Sequence, residues 1–164
     1  MTIIRLAIPD DAQAIREVGI ATWWATYTSY VAAVSIAAVM RVPWSIRNIL
    51  RSIENTEACV FVAEVESEII GVLFGSSGVR QDDFAFIERW YVRPDMQGKK
   101  IGYGLWQAYL EGLPTDAKAV ELDVFEGNQH AIRFYERLGF IELRRFVEQI
   151  ADHDFPLVYL RKTL

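Results

Sequence analysis

The chain has 164 residues, 52% hydrophobic and 13% aromatic, with a formal net charge of -5. That length suits a single domain, 1–164, with a buried core, and the acidic balance argues against a nucleic-acid partner. A lone cysteine, Cys59, excludes an internal disulfide and a cysteine-based zinc cluster. The apolar stretch 31–40 is too short for a bilayer and no leader pattern opens the chain, so a cytoplasmic protein without membrane or metal partners is expected.

Ile3 to Ile8 reads as a first strand. Pro9-Asp10-Asp11 opens a helix with carboxylates at the positive end of its dipole, and Ala14, Ile15, Val18, Ala21 and Thr22 keep helical spacing up to Trp23-Trp24. Residues 27–51 predict one or two short helices broken near Pro43. From Ala58 the period changes to two. Ala58 to Val65 and Ile69 to Ser77 form a hairpin about Glu66-Ser67-Glu68, and Phe84 to Val92 is the next strand. Ile101, Leu105, Ala108, Tyr109 and Leu113 mark one helix face, and Ala119 to Phe125 is another strand. Asn128 opens a helix that Gly139 ends as a left-handed cap, with Phe140 just beyond. Phe140 to Ile150 and Pro156 to Lys162 close the chain as strands. The order β-α-α-β-β-β-α-β-α-β-β describes an α/β fold, a mixed sheet with helices on its faces.

The richest stretch is Ile87 to Gly104, in which a strand runs through Gln97-Gly98-Lys99-Lys100-Ile101-Gly102-Tyr103-Gly104 into a helix. Such a turn gathers unpaired N–H groups at a positive helix end and suits phosphate. It is not a Walker A loop, because Tyr103 stands where the lysine step would need glycine. It is not a dinucleotide fingerprint either, because position 107 is Gln.

Two motifs together resemble the GNAT superfamily of acetyl-CoA-dependent N-acetyltransferases. The first is Tyr91-Val92, Gln97, Gly98 and Gly102; the second is Asn128, Ala131, Phe134, Tyr135, Gly139 and Phe140, at the family spacing and in the family order. The early segment Arg5-Leu-Ala-Ile-Pro-Asp-Asp also matches the usual family opening, so the resemblance covers essentially the whole chain. It implies the GNAT fold and acetyl-CoA as cosubstrate. It also implies pyrophosphate held by amides of residues 98–104 and pantetheine paired beside Tyr91 and Val92. Asn128 would touch the pantetheine arm, or act as an ordinary helix cap. Tyr135 would be the acid for the leaving thiolate, with plain core as the alternative.

Two departures from the family pattern matter. Lys100 replaces a motif glycine, at about 1 kcal/mol if its φ is positive. Lys100 then meets phosphate or solvent, and Lys99 is expected to be a solvated charge. Phe86 stands where many members carry a catalytic Glu, six residues before Val92. Glu88, two residues on, shares its face under strict alternation and becomes the candidate base. The need for one depends on the amine, since deprotonating a nitrogen of pKa 10.4 at pH 7 costs roughly 4–5 kcal/mol.

The resemblance also makes residues after the first helix wall the acceptor site. Trp24, Tyr27 and Phe86 are the expected substrate contacts, with Trp23, Tyr30 and Trp44 nearby. Core packing or a homodimer contact is the alternative for these aromatics. The downstream half also looks like bacterial spermidine and spermine acetyltransferases, whereas an uncharged wall at Phe86 suits an apolar amine better. Direct transfer to a small-molecule primary amine is the expected reaction. The alternatives are a protein N-terminal acetyltransferase of the ribosomal-protein type and a non-catalytic acyl-CoA sensor.

Overall fold

A computed structural model describes residues 1–29, 31–79, 83–150 and 153–164. Seven strands form one sheet: β1 (Thr2–Leu6), β2 (Ala58–Val65), β3 (Glu68–Ser76), β4 (Phe84–Val92), β5 (Ala119–Phe125), β6 (Ile141–Ile150) and β7 (His153–Thr163). Their order across the sheet is β1-β2-β3-β4-β5-β7-β6, antiparallel except for the central β4–β5 pair. On one face lie α1 (Ala12–Tyr27), α2 (Ala33–Arg41) and α3 (Ile46–Glu54); on the other lie α4 (Ile101–Gly112) and α5 (Gln129–Arg137). The segment around Pro43 therefore resolves into two short helices, with Ser45 capping the second through Asn48 N–H.

Two cores follow from strand alternation. Ala85, Ile87, Leu122 and Val124 point towards α4 and α5, whereas Val62, Val72 and Phe74 point towards α1–α3. The hairpin turns on Glu66 and Ser67, both at positive φ, the mirror-image turn that matches strand twist. Arg5 on β1 is paired with Asp11 at 2.7 Å and Glu64 at 2.9 Å. Those bonds pull Asp11 below its usual carboxylate range, despite burial, and tie the first strand to the start of α1.

Trp44, 1% exposed, is core rather than acceptor wall. It lies on Gly19 of α1, where an added Cβ would sit 2.2 Å from the indole. Ala is the better helix former by up to about 1 kcal/mol, but overpacking of this kind costs about 1–3 kcal/mol. Gly19→Ala is therefore expected to destabilise by about 2 kcal/mol, read from the urea midpoint at unchanged slope.

Candidate active site

The site begins where β4 and β5 part. Their parallel pairing runs only from Phe84↔Ala119 to Ile87↔Leu122, although β4 continues to Val92 and β5 to Phe125. Beyond that point the backbone groups of β4 facing β5 have no ladder partner. The parting coincides with a bulge. Phe74 pairs with Arg89 and Gly75 with Ile87, so Glu88 is an extra residue on β4. Gly75 has no side chain because Tyr109 occupies that space, 2.5 Å from where a Cβ would be. The Tyr109 hydroxyl donates to the carbonyls of Ser76 and Phe86 at 3.2 and 3.3 Å.

The bulge corrects the period-two count. Ile87 and Trp90 share the α4 face three residues apart, so strict alternation does not carry across Glu88. Phe86 is turned away from the split, its ring stacked on Tyr159 and its N–H donating to Ser76 Oγ at 3.0 Å. Glu88 is exposed and lines the opening.

A cavity of about 1000 Å³ fills the split and reaches both faces of the sheet. Among the predicted site residues, Tyr27, Glu88, Tyr91, Val92, Gln97, Gly98, Lys100, Ile101, Gly102, Tyr103, Asn128 and Tyr135 line it. Phe86, Lys99, Gly104 and Trp24 do not. Lys99 Nζ contacts Met96 Sδ at 3.3 Å. Gly104 is a packing glycine, with Ile4 2.5 Å from where its Cβ would be. Trp24 is on the far side of α1 in a shallow depression with Arg16 and Met40, while its neighbour Trp23 faces the cavity. A helix turns about 100° per residue, so the two indoles diverge. Tyr30 lies outside the described residues.

At the loop end, the first helical bond of α4 runs from Gly104 N–H to the Lys100 carbonyl. The N–H groups of Ile101, Gly102 and Tyr103 are therefore free of the helix, and among the described residues no side chain caps them. The start of α5 contrasts with this. Asn128 Oδ1 accepts from Ala131 N–H at 3.1 Å while its Nδ2 donates to the Tyr27 hydroxyl at 3.3 Å. Asn128 thus caps α5 and braces α1 at the cavity wall. Gln97 turns back to donate to the Val92 carbonyl at 3.1 Å. Gly98 has φ +78° with open space around it, and Lys100 has φ 62°. A lysine in the left-handed region is strained, and relief of that strain outweighs the extra chain freedom of glycine. Lys100→Gly is expected to raise unfolding free energy by up to about 1 kcal/mol, measured by urea titration of the ligand-free protein.

The polar groups deeper in the cavity were largely missed by sequence reading. Among the described residues four buried side-chain atoms lack a hydrogen-bond partner: Trp23 Nε1, Arg89 Nη1, Trp90 Nε1 and Asp123 Oδ1. All four residues line this cavity. Buried polar atoms are rarely left unpaired, and their clustering marks a place completed by ligand. Asp123 and Glu121 alternate with apolar neighbours on β5, a signal visible in the sequence, but only the fold separates them. Glu121 is closed off by Arg161 at 2.6 Å and by the Tyr159 hydroxyl. Among the described residues Asp123 Oδ1 has no such partner, and burial, reinforced by Glu148, pushes its carboxyl up to about 6 against the pull of Arg144.

Tyr135 approaches from the opposite face. It is 8% exposed, packed against Trp90, Phe134 and Phe140, and burial holds its hydroxyl above the usual phenol range. Cys59 lies on β2 outside the cavity, its thiol pushed up to about 11 by burial, so it is scarcely ionised near neutrality.

Comparison with known proteins agrees with this geometry. The sequence model of the acetyltransferase (GNAT) family matches residues 17–140. A probable spermine N(1)-acetyltransferase of Bacillus subtilis subsp. natto is 28% identical over 112 residues, covering 57% of this chain and 74% of the relative. The structure of the PaiA N-acetyltransferase from Thermoplasma acidophilum, in complex with coenzyme A, superposes with a TM-score of 0.80 at 23% identity, covering 100% of this chain and 99% of that one. The ribosomal-protein-S18-alanine N-acetyltransferase of Escherichia coli shares the fold at a TM-score of 0.71 and 18% identity, covering 99% and 94%. With the family's sequence pattern, its sheet and a split lined by free amides all present, this chain belongs to the GNAT family of acetyltransferases and has acetyl-CoA as its cosubstrate.

Proposed function

We propose that this enzyme acetylates a primary amine of a small molecule by direct transfer, with Asp123 as the general base and Tyr135 as the acid. The observation that carries the reading is the partnerless Asp123 Oδ1, buried in a cavity that joins the two sheet faces. The cavity holds a carboxylate with a proton affinity near the working pH, the condition under which a base is both ionised and effective. Similarity to a spermine N(1)-acetyltransferase supports a small amine as acceptor.

The free amides of Ile101, Gly102 and Tyr103, with Lys100, would hold the pyrophosphate, and the unpaired edge of β4 near Tyr91 and Val92 the pantetheine arm. Acetyl-CoA supplies a thioester carbonyl at the split. Asp123 takes the proton that the amine loses as its nitrogen bonds to that carbon. Tyr135 hydrogen-bonds the departing sulfur and offers it a proton as the C–S bond breaks. Asp123 is favoured over Glu88 because Glu88 is exposed, so water already solvates it. Nucleophilic relay through Cys59 is disfavoured because Cys59 does not line the cavity and its ionisation is suppressed.

The test is CoA thiol release across polyamines, amino acids, aryl and alkyl amines and short peptides. Turnover of small amines supports the reading. Turnover confined to peptides would make the acceptor a protein N-terminus. Acetyl-CoA binding without thiol release from any amine would mean a sensor.

A further inference from the structure

Arg89 has no place in the chemistry described so far. It follows the bulge on β4, with its guanidinium 4.8 Å from the Phe74 ring centroid and 5.1 Å from that of Trp44. Those rings belong to the α1–α3 core, so Arg89 lies on the face opposite the Gly98–Gly104 turn. Burial pulls its proton affinity down, and Tyr91 and then Glu88 offset this only through space. Among the described residues no carboxylate forms an ion pair with it, and Nη1 is buried without a partner. A buried cation resting only on aromatic faces leaves its strongest hydrogen-bonding capacity unused.

Asp123 is on the same face. Leu122 and Val124 point to α4 and α5, so Asp123 and Phe125 point to α1. Arg89 stands two residues beyond the last β4–β5 pair and Asp123 one beyond it. Trp23 adds an indole N–H on that side, without a partner at strict hydrogen-bond geometry but close to the buried Tyr91 hydroxyl. The acceptor half of the cavity thus offers a carboxylate at one point and donors of positive character at another. Around them are the apolar walls of Tyr27, Phe125, Phe155 and Leu157.

We propose that the acceptor is a primary amine that also carries a carboxylate, its anionic group held by Arg89 with help from Trp23 Nε1. An apolar α-amino acid is the simplest such molecule. This rests on the acetyltransferase reading above and deepens it. A polyamine would bring a further positive charge towards Arg89 and leave its Nη1 unpaired, which costs binding. Arg89 acts here in specificity, by holding the substrate.

The test compares L-phenylalanine, L-phenylalaninamide, 2-phenylethylamine and spermidine with the intact enzyme. The carboxamide has the less basic amine, so amine ionisation alone favours it over the acid. Expected is kcat/KM for the acid about 10- to 100-fold above the carboxamide, the range of a charge-assisted hydrogen bond. Arg89→Gln should reduce that ratio to within about threefold, with Arg89→Lys intermediate, while acetyl-CoA affinity is unchanged. Equal or better turnover of the carboxamide or spermidine by the native enzyme overturns the proposal, even if Arg89→Gln fails to fold. Calorimetry of the four compounds with CoA-saturated protein separates the two readings. Carboxylate binding that requires Arg89, without thiol release, sustains this inference and sinks the proposed transfer. Brisk acetylation indifferent to the carboxylate does the reverse. Absence of binding by the acid overturns the inference.

Discussion

Asp123→Asn is expected to lower kcat/KM by about 10²- to 10³-fold, within the range a positioned general base contributes. In the free enzyme the acid limb of the pH profile should follow Asp123, with activity present above about 6 and falling below it. In the variant that limb should vanish, since an amide does not titrate there. The stability change should run the other way. A carboxyl whose folded value is raised binds its proton more tightly in the native state. The stability this confers is complete below the unfolded value, about 3.9, and is lost as pH rises through about 6. At neutral pH the native protein holds a partly buried carboxylate at a cost, which asparagine removes. The variant should therefore melt higher than wild type near pH 7.5, by a margin that shrinks towards about pH 4. A variant that is both active and less stable would show that Asp123 is structural.

Tyr135→Phe is expected to lower kcat by about 10²-fold, the lower part of the range for removing one donor from developing charge. Acetyl-CoA affinity should move by less than about threefold, because the ring keeps its packing against Trp90 and Phe140. Burial raises the Tyr135 hydroxyl, which makes it a weaker acid towards a thiolate but keeps it protonated throughout the working range. In the proposed transfer its main contribution would accordingly be a hydrogen bond to sulfur, with proton delivery following. The alkaline limb of the rate profile should not change in the variant, and its loss would reassign that limb to Tyr135. Single-turnover thiol release with a saturating amine separates chemistry from product loss. Unchanged turnover would leave Tyr135 as a core residue.

Much of the architecture was legible in residue order. The Glu66-Ser67 turn, the Gly139 cap at φ +91° and the glycine turn into α4 each rest on local backbone chemistry, which neighbours in sequence determine. The break near Pro43 was legible as well, although not that it separates two helices. The strand alternation from Ala58 onward was equally clear, because one period of two places a whole face.

The site was legible only at its rim. Gly98 and Gly102 in the loop, and Tyr135 on α5, carry motif spacing in the sequence and line the cavity in the structure. The alternation expected to carry Phe86 and Glu88 onto one face is interrupted by the extra residue at Glu88, and a bulge has no local signature in that stretch. The resemblance points to Trp24 and Tyr27, but the turn of α1 puts Trp23 rather than Trp24 on the cavity beside Tyr27.

The sequence by itself determined the order of elements, the family and the amide-rich turn, since these depend on contacts within a few residues. The tertiary structure decided which of the charged groups on neighbouring strands is spoken for. Glu121 finds Arg161 on β7, forty residues away, whereas among the described residues Asp123 Oδ1 and Arg89 Nη1 find no hydrogen-bond partner. Whether a buried charge is neutralised depends on who arrives from a distant strand, and desolvation makes that difference large. That is why the candidate base and the candidate specificity residue emerged only when the sheet was assembled.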